Sequence, residues 1–437
     1  MRRGDYQGAL AALLPAVQGP DAGPRVFEYT VLCFEALRDH ATATALIDAA
    51  LTRFPADVWL WTLQGRLQMQ AGDAEAARRS LTKALDIAPG HLGALTTLNL
   101  IAPFAKGSRE DKRLRRSAKA PGHSARELAA AHSGLARIEE AAGNPTGAFF
   151  HFTRCNRLRG GGYDPAQDRE NLAAQAGLPC PAPAPAQLLF VGGMPRSGTS
   201  VLDAALARHP QIASLGETPA LATLFARAGT LAPALADLTE AHRSDLRAEL
   251  LSLYDPARGG AAVIIDKMPL GCLYSGFAAW LLPEARFVHM VRHPLDCGLS
   301  NFAANFDEAH GWSTRLDRIA AKWQVTQEAA DLWARRLGPA FRRQSFQALV
   351  SAPETELRAV LDHIGLPWND ACLTPENAGP QRTASLMQVR AGFNRKGLGK
   401  WCAYEAQLAP LIEALGGPEA IAAWEAEDAP TPSLAAE

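Results

Sequence analysis

The stretch LLFVGGMPRSGTSVLDAALARHPQIASLGE, residues 188–217, decides how the second half of the chain folds. Leu188–Val191 is an apolar run that breaks at Gly192-Gly193. A polar loop follows, Met194-Pro195-Arg196-Ser197-Gly198-Thr199-Ser200, and then an amphipathic segment begins, VLDAALARHP. That order predicts a buried strand, a tight loop and a helix. Glycines let the backbone approach an anion closely, and consecutive N–H groups together with the helix dipole point at it. A Gly/Ser-rich turn without a ligand is the competing reading of the same residues.

Gly193 and Gly198 are spaced G-x-x-x-x-G, as in half of a Walker A loop, but Thr199 stands at the lysine position. The cation sits inside the loop instead, at Arg196. A nucleoside triphosphatase needs that lysine and Mg²⁺ to offset the charge of the triphosphate. A sulfuryl group carries less charge than a terminal phosphoryl group and can leave without a metal. A loop with arginine and hydroxyls but no lysine therefore suits a 5′-phosphosulfate. The run P-R-S-G-T-S after a strand resembles the 5′-phosphosulfate loop of sulfotransferases, whose donor is 3′-phosphoadenosine 5′-phosphosulfate (PAPS). The resemblance implies that Pro195, Arg196, Ser197, Gly198, Thr199 and Ser200 hold the 5′ end of that donor.

Composition sets the frame around this stretch. The 437 residues suffice for two or three domains, with 48% hydrophobic and 20% charged residues, ordinary for globular protein. A net charge of −1 supplies no bulk field for nucleic acid or a membrane surface. The opening MRRGDYQGALAALLPAV has arginines before an apolar stretch, but Asp5 and Gln7 interrupt it and its hydrophobicity is helical. It is read as a helix of a cytoplasmic protein rather than a signal peptide. No run approaches the roughly 18 apolar residues of a membrane span. The seven cysteines are scattered without C-x-x-C spacing, which favours reduced thiols over disulfides or zinc ligands.

Residues 24–90 repeat with a period of 34. Pro55 and Pro89 are that far apart, as are Ala43 and Ala77, Ile47 and Leu81, and Ala50 and Ala84. Phe27 and Trp61 share the opening large position, Gly65 offers a small contact, and Gly72-Asp73 mark a turn between paired helices. The pattern resembles the tetratricopeptide (TPR) repeat. A half repeat precedes it, so the chain starts mid-repeat, either truncated or lacking a first helix. The pattern returns near Leu128–Leu158 with Gly143-Asn144 at the turn. Between lie Lys106, Arg109, Lys112, Arg113, Arg115, Arg116 and Lys119, either a solvated face or a basic collar for an acidic acceptor. Repeat arrays present a concave face to peptides, so this array is expected to be a partner or substrate platform. The Pro/Ala run LPCPAPAPAQ, residues 178–187, reads as a semi-rigid linker. The expected organisation is therefore an all-α TPR-like domain at 1–177, the linker at 178–187, and a sulfotransferase domain at 188–437.

After the linker, short apolar runs alternate with helical segments, which predicts an α/β P-loop-like domain with a mainly parallel sheet, the sulfotransferase fold of the resemblance. The runs are LLFVGG, QIASLG, AVIID and RFVHMV. The first is followed by the loop, the second by Glu217, the third by Asp266 and Lys267, and the fourth by Arg292 and His293. Ligands bind outside the carboxyl ends of strands in such sheets. Four strand ends delivering anion-binding or acid–base groups to one edge are stronger evidence than any single motif.

Each strand end has its own resemblance. R-F-V-H-M-V-R-H-P-L-D-C-G-L-S resembles the 3′-phosphate motif of sulfotransferases, which implies that Arg292 and Ser300, eight residues on, hold the 3′-phosphate. His293 stands where many relatives have aspartate. I-I-D-K-M-P-L resembles the family's D-K-x-P segment, with Gly271 where an asparagine is usual. It implies that Lys267 stabilises the sulfuryl group and the departing phosphate. Glu217 matches the glutamate that removes the acceptor proton in tyrosylprotein sulfotransferases. Phe346-Gln347 replace a usual tyrosine-glutamate, and RTASLMQVRAGFNRKGLGKW resembles the C-terminal nucleotide clamp. There Ser385, Arg390 and the loop Arg395-Lys396-Gly397 are the implied nucleotide contacts, and Trp401 is read as core rather than a base platform.

The sequence thus resembles a bacterial TPR–sulfotransferase fusion, similar to tyrosylprotein sulfotransferase. The expected reaction is metal-free in-line sulfuryl transfer from PAPS to an acceptor hydroxyl, leaving 3′-phosphoadenosine 5′-phosphate (PAP). Glu217, Lys267 and Arg196 are the expected catalytic residues. A protein or peptide tyrosine held by the array is one expected acceptor; a polysaccharide or small alcohol stays open. No metal, nucleic acid or membrane partner is expected. Two other classes compete. A nucleotide-dependent phosphotransferase would use Gly193–Ser200 as its phosphate loop with Asp266 on Mg²⁺. A non-catalytic scaffold would have a decayed second half.

Overall fold

The computed structural model describes residues 5–37, 39–306, 308–375 and 392–428. The chain forms two compact units, Met1–Arg159 and Gly160–Glu437.

The first unit is helical. Helices Pro24–Ala36, Val58–Ala71 and Leu92–Ile101 start 34 residues apart, so the sequence period is a period of helices. Each of the first two is followed by a partner, His40–Arg53 and Ala74–Ile87. Local chemistry sets the boundaries. Asp39, Asp57 and Asp73 cap helix starts by accepting backbone N–H groups, and Gly72 ends a helix in the left-handed region at φ 94°. Gly65 is small for a packing reason: a Cβ there would lie 2.6 Å from Leu81 Cγ. The small-residue position and the leucine of the facing helix therefore define one close crossing.

The basic segment is partly accounted for. Arg109–Ser117 is a helix. Lys106 and Arg115 both donate to the buried Glu139, each at 2.7 Å, and Arg115 also pairs with Asp111 at 2.7 Å. These two cations serve the fold. Arg109, Lys112, Arg116 and Lys119 are exposed.

The second unit is built on a five-stranded parallel sheet, ordered β2-β3-β1-β4-β5. The strands are β1 Leu188–Gly193, β2 Ile212–Ser214, β3 Val263–Lys267, β4 Ala285–Val291 and β5 Phe341–Ser345. Side chains alternate between two buried faces. Leu188, Phe190, Ile264 and Phe287 pack with Phe277, Trp280 and Trp333 on one face. Leu189, Val191, Ile265 and Val288 pack with Leu202, Leu206, Phe346 and Leu349 on the other. β1 lies between β3 and β4, so the loop leaving it stands between the ends of both neighbours. Four of the five strands coincide with the apolar runs of the sequence.

The units divide at Arg159/Gly160, ahead of the Pro/Ala run that marks the expected linker. The helix Pro165–Ala176 belongs to the second unit through its contacts: Asp168 pairs with Lys322 at 2.6 Å, and Gln175 donates to the Leu273 carbonyl at 2.8 Å. Residues 184–187 are also tied to the sheet, with Ala184 N and Gln187 N donating to the carbonyls of Pro283 and Glu284.

Candidate active site

The loop after β1 is held in one shape by close packing. Gly193 has φ 138°, and a Cβ on it would come within 2.5 Å of the Met290 carbonyl oxygen. Gly198 has φ 105°, and a Cβ on it would overlap the Phe346 ring. Arg196 takes φ 72°, the one left-handed non-glycine among the described residues. A residue held in that region is overdetermined by its surroundings. Asn301 Nδ2 donates to the Pro195 carbonyl at 2.8 Å, and Arg292 Nη1 donates to the Arg196 carbonyl at 2.7 Å. The helix Thr199–Leu206 starts immediately after, with Ser197, Thr199 and Ser200 buried.

Arg196 and Arg292 are neighbours, each with a tie to the other half of the site. Arg196 Nε donates to Ser300 Oγ at 3.0 Å. Burial, and then the charge of Arg292, lower Arg196 to about 10, so it remains a cation at neutral pH. Arg292 Nη2 donates to the Gly397 carbonyl at 2.6 Å, and its guanidinium lies 5.0 Å from the centre of the Phe346 ring. Arg292 Nε and Ser197 Oγ are buried and have no hydrogen-bond partner among the described residues. Two buried donors without acceptors beside two arginines suit an anion.

The other half of the site lies at the end of β3. Lys267 is 2% exposed. Its register partner is Val191 and its strand neighbour Ile265, so it faces the side of the sheet covered by the loop helix. Its ammonium donates to Glu217 Oε1 at 2.6 Å and to Ser200 Oγ at 3.4 Å. Glu217 is at 39% side-chain exposure, so the pair has a dry end and a wet end. The preceding residue, Asp266, points the other way, where it accepts a hydrogen bond from the Tyr254 hydroxyl. Burial lifts the Asp266 carboxyl to about 7 despite that hydrogen bond.

The structure therefore joins Arg196, Arg292, Ser300 and Gly397 by one set of direct contacts and Ser200, Glu217 and Lys267 by another, with both sets meeting the one loop that also carries Ser197. Arg395 and Lys396 are exposed on the same loop as Gly397. Ser385 and Arg390 lie outside the described residues. Trp401 stacks on His293, and Asp296 ties this segment down by accepting Gly399 N at 2.7 Å and Trp401 N at 3.0 Å. Three contributors escape motif reading. Phe346 supports both Gly198 and Arg292, Asp296 anchors the clamp, and Asp203 of the loop helix accepts from Ser214 Oγ at 2.6 Å. The available signal for Asp203 is an acidic residue on an otherwise apolar helix, VLDAAL.

Residues 188–370 match the model of the sulfotransferase family. An uncharacterised protein of Aquifex aeolicus is 28% identical over 246 residues, 52% of this chain and 32% of that protein. The chain thus spans about a third of that relative's length. Protein-tyrosine sulfotransferase 1 of Danio rerio is 26% identical over 254 residues, 52% of this chain and 72% of the relative. Among solved structures, the sulfotransferase domain of the Synechococcus PCC 7002 olefin synthase is 20% identical with a TM-score of 0.40, covering 54% of this chain and 98% of that domain. The segment that carries the loop, Glu217, Lys267, Arg292 and Ser300, residues 188–370, belongs to the sulfotransferase family.

Proposed function

We propose that the chain is a PAPS-dependent sulfotransferase that moves a sulfuryl group to an acceptor hydroxyl. The observation that carries this reading is the pairing of Glu217 with a buried Lys267 directly beside a loop that gathers Arg196 and Arg292. An ammonium and two guanidinium groups complement the negative charge of a phosphosulfate and a second phosphate, and the half-exposed carboxylate of Glu217 can take a proton.

In the proposed step the acceptor oxygen attacks sulfur in line with the 5′-phosphate. The acceptor proton passes to Glu217, and the S–O bond to phosphate breaks with its electron pair leaving on the phosphate oxygen. Lys267 and Arg196 stabilise charge on the sulfuryl oxygens and the leaving phosphate. The loop Pro195–Ser200 binds the 5′ end, and Arg292 with Ser300, helped by the clamp at Arg395–Gly397, binds the 3′-phosphate. Ser385 and Arg390 are proposed clamp contacts from the resemblance alone.

The similarity to protein-tyrosine sulfotransferases supports a protein or peptide tyrosine as acceptor. The 34-residue helix period supports a TPR-like platform that presents it, with the exposed Arg109, Lys112, Arg116 and Lys119 suited to acidic sequence. Among the described residues no helix is long and apolar enough to cross a membrane. Five of the seven free cysteines are buried apart in the two units, which fits a reducing compartment, and we place the enzyme in the cytoplasm.

Calorimetric titration with PAP, ADP and ATP with Mg²⁺ tests the donor class. The proposal expects PAP to bind tightly without metal and ADP weakly. Preference for ATP with Mg²⁺ would replace it with phosphoryl transfer, and binding of none would point to a scaffold.

A further inference from the structure

We infer that Asp203 and Ser214 form a brace that ties the proton-accepting Glu217 to the helix that binds the donor, making both positioning residues of the transfer step. The inference rests on the sulfotransferase reading of the site.

The geometry is a short relay. Ser214 ends β2, and its hydroxyl donates to Asp203 Oδ1 at 2.6 Å. Ser214 Oγ in turn accepts the Gly216 backbone N–H at 3.0 Å. The hydroxyl hydrogen is thereby committed to Asp203, which leaves the lone pair for Gly216. Gly216 turns the chain at φ 65°, and its carbonyl accepts Lys267 N at 3.1 Å. The next residue is Glu217, whose carboxylate meets Lys267 Nζ at 2.6 Å. The direction in which Glu217 leaves β2 is fixed from both sides, by Asp203 through Ser214 and by the β3 backbone.

Asp203 lies one turn beyond Thr199 and Ser200, on the helix whose N-terminus faces the donor. It is 2% exposed, buried in the same region as the ammonium of Lys267. Burial raises its pKa and the charge of Glu217 adds to the rise, while Ser214 and the charge of Lys267 oppose it. A carboxylate here has a second use during turnover. When Glu217 takes a proton it becomes neutral and Lys267 loses its ion-pair partner. Asp203 is then the remaining buried acid near the ammonium, and its ionised form, no longer opposed by the charge of Glu217, would hold Lys267 protonated while it turns to the sulfuryl oxygens.

Two variants separate the brace from the charge. Ser214→Ala removes the hydroxyl and keeps the carboxylate. Asp203→Asn keeps an acceptor for Ser214 and removes the charge. The readout compares two phenols with PAPS at pH 8: a tyrosine ester, whose hydroxyl must surrender its proton, and 4-nitrophenol, which is already ionised. Misplacing a reacting group by about 1 Å can cost on the order of 100-fold. Ser214→Ala is expected to lose about that much turnover with the tyrosine ester, to retain most turnover with 4-nitrophenol, and to bind PAP within about twofold of wild type. Asp203→Asn is expected to lose rate with both phenols. Equal or absent loss for the two phenols in Ser214→Ala overturns the brace. A crystal structure of Ser214→Ala with PAP tests the brace independently: Glu217 moved away from Lys267 supports it, and an unchanged pair overturns it. A wild-type protein that binds no PAP overturns the sulfotransferase reading itself, and that failure is visible before any variant is made.

Discussion

Ser300 Oγ accepts a hydrogen bond from Arg196 Nε at 3.0 Å, so a residue assigned by motif to one phosphate is bonded to the arginine assigned to the other. Arg292 Nη1 closes the same loop from the opposite side by donating to the Arg196 carbonyl. The two proposed anion sites therefore share one set of side chains. Ser300→Ala should therefore act on both ends of the nucleotide. One hydrogen bond to a charged group contributes about 1.5–3 kcal/mol. PAP should bind roughly 10-fold or more weakly, and adenosine 5′-phosphate, which lacks the 3′-phosphate, should weaken as well. Calorimetry with both ligands checks this; a loss confined to PAP would return Ser300 to the 3′-phosphate alone.

Glu217→Gln should stop transfer while sparing the donor. Glutamine keeps the size and an oxygen for Lys267 but cannot accept the acceptor's proton. General-base assistance contributes about 10²–10⁴-fold, and turnover should fall within that range. PAP affinity should change only a few-fold, because the carboxylate is at the acceptor end of the Lys267 ammonium. Radiolabelled donor in a quenched-flow assay, beside PAP titration, measures both quantities. Lost PAP binding would mean that Glu217 organises the donor site instead.

Much of this site can be read from sequence because its chemistry is local. Strand, loop and helix follow one another within residues 188–206, and Gly193, Arg196 and Gly198 carry their backbone demands in their own identities. Other features need partners that sequence does not place. β5, FRRQS, reads as charged because it is an edge strand: Phe341 and Gln344 are buried while Arg342 and Arg343 are not. Asp203 looks like one acid in a helix until β2 brings Ser214 against it. The helix Pro165–Ala176 precedes the Pro/Ala run, yet its ties are to Lys322 and Leu273, far along the chain.

Glu139 of the first unit and Asp266 of the second should contribute to the pH dependence of stability with opposite sign. In the first, burial would raise Glu139, but hydrogen bonds from Lys106, Arg115 and Asn144 prevail and lower it from 4.5 to about 2. A depressed carboxyl contributes stability above its unfolded pKa and loses it as pH falls towards 2, a loss on the order of 3 kcal/mol. In the second, burial raises Asp266 from 3.8 to about 7. The folded unit then holds a proton at Asp266 that the unfolded chain has released, so this group's contribution declines as pH rises across that interval, against the opposite trend of the buried His289 and His363. Hydrogen exchange read separately in each unit measures the two slopes. Glu139→Gln should reduce the acid sensitivity of the first unit and lower its stability at neutral pH. Asp266→Asn should remove the opposing contribution, so that the stability of the second unit rises more steeply with pH than in the wild type. An unchanged slope in either variant would assign the titration to another group.

Gly198→Ala should disable the loop for two separable reasons. The φ of 105° strains any residue with a Cβ, at about 1–3 kcal/mol. The new methyl would also overlap the Phe346 ring, which in turn supports the Arg292 guanidinium. The variant should unfold more readily and bind PAP at least 10-fold more weakly, by the usual conversion of about 1.4 kcal/mol per tenfold. Placing the same change in a Phe346→Ala background divides the two causes. The small side chain relieves the overlap but leaves the backbone strain, so the second substitution should cost less there than in the wild type, with a coupling of about 0.5–3 kcal/mol. Denaturant unfolding of the four proteins measures that coupling. Simple additivity would mean that the loop is held by its backbone alone and that Phe346 acts only through Arg292.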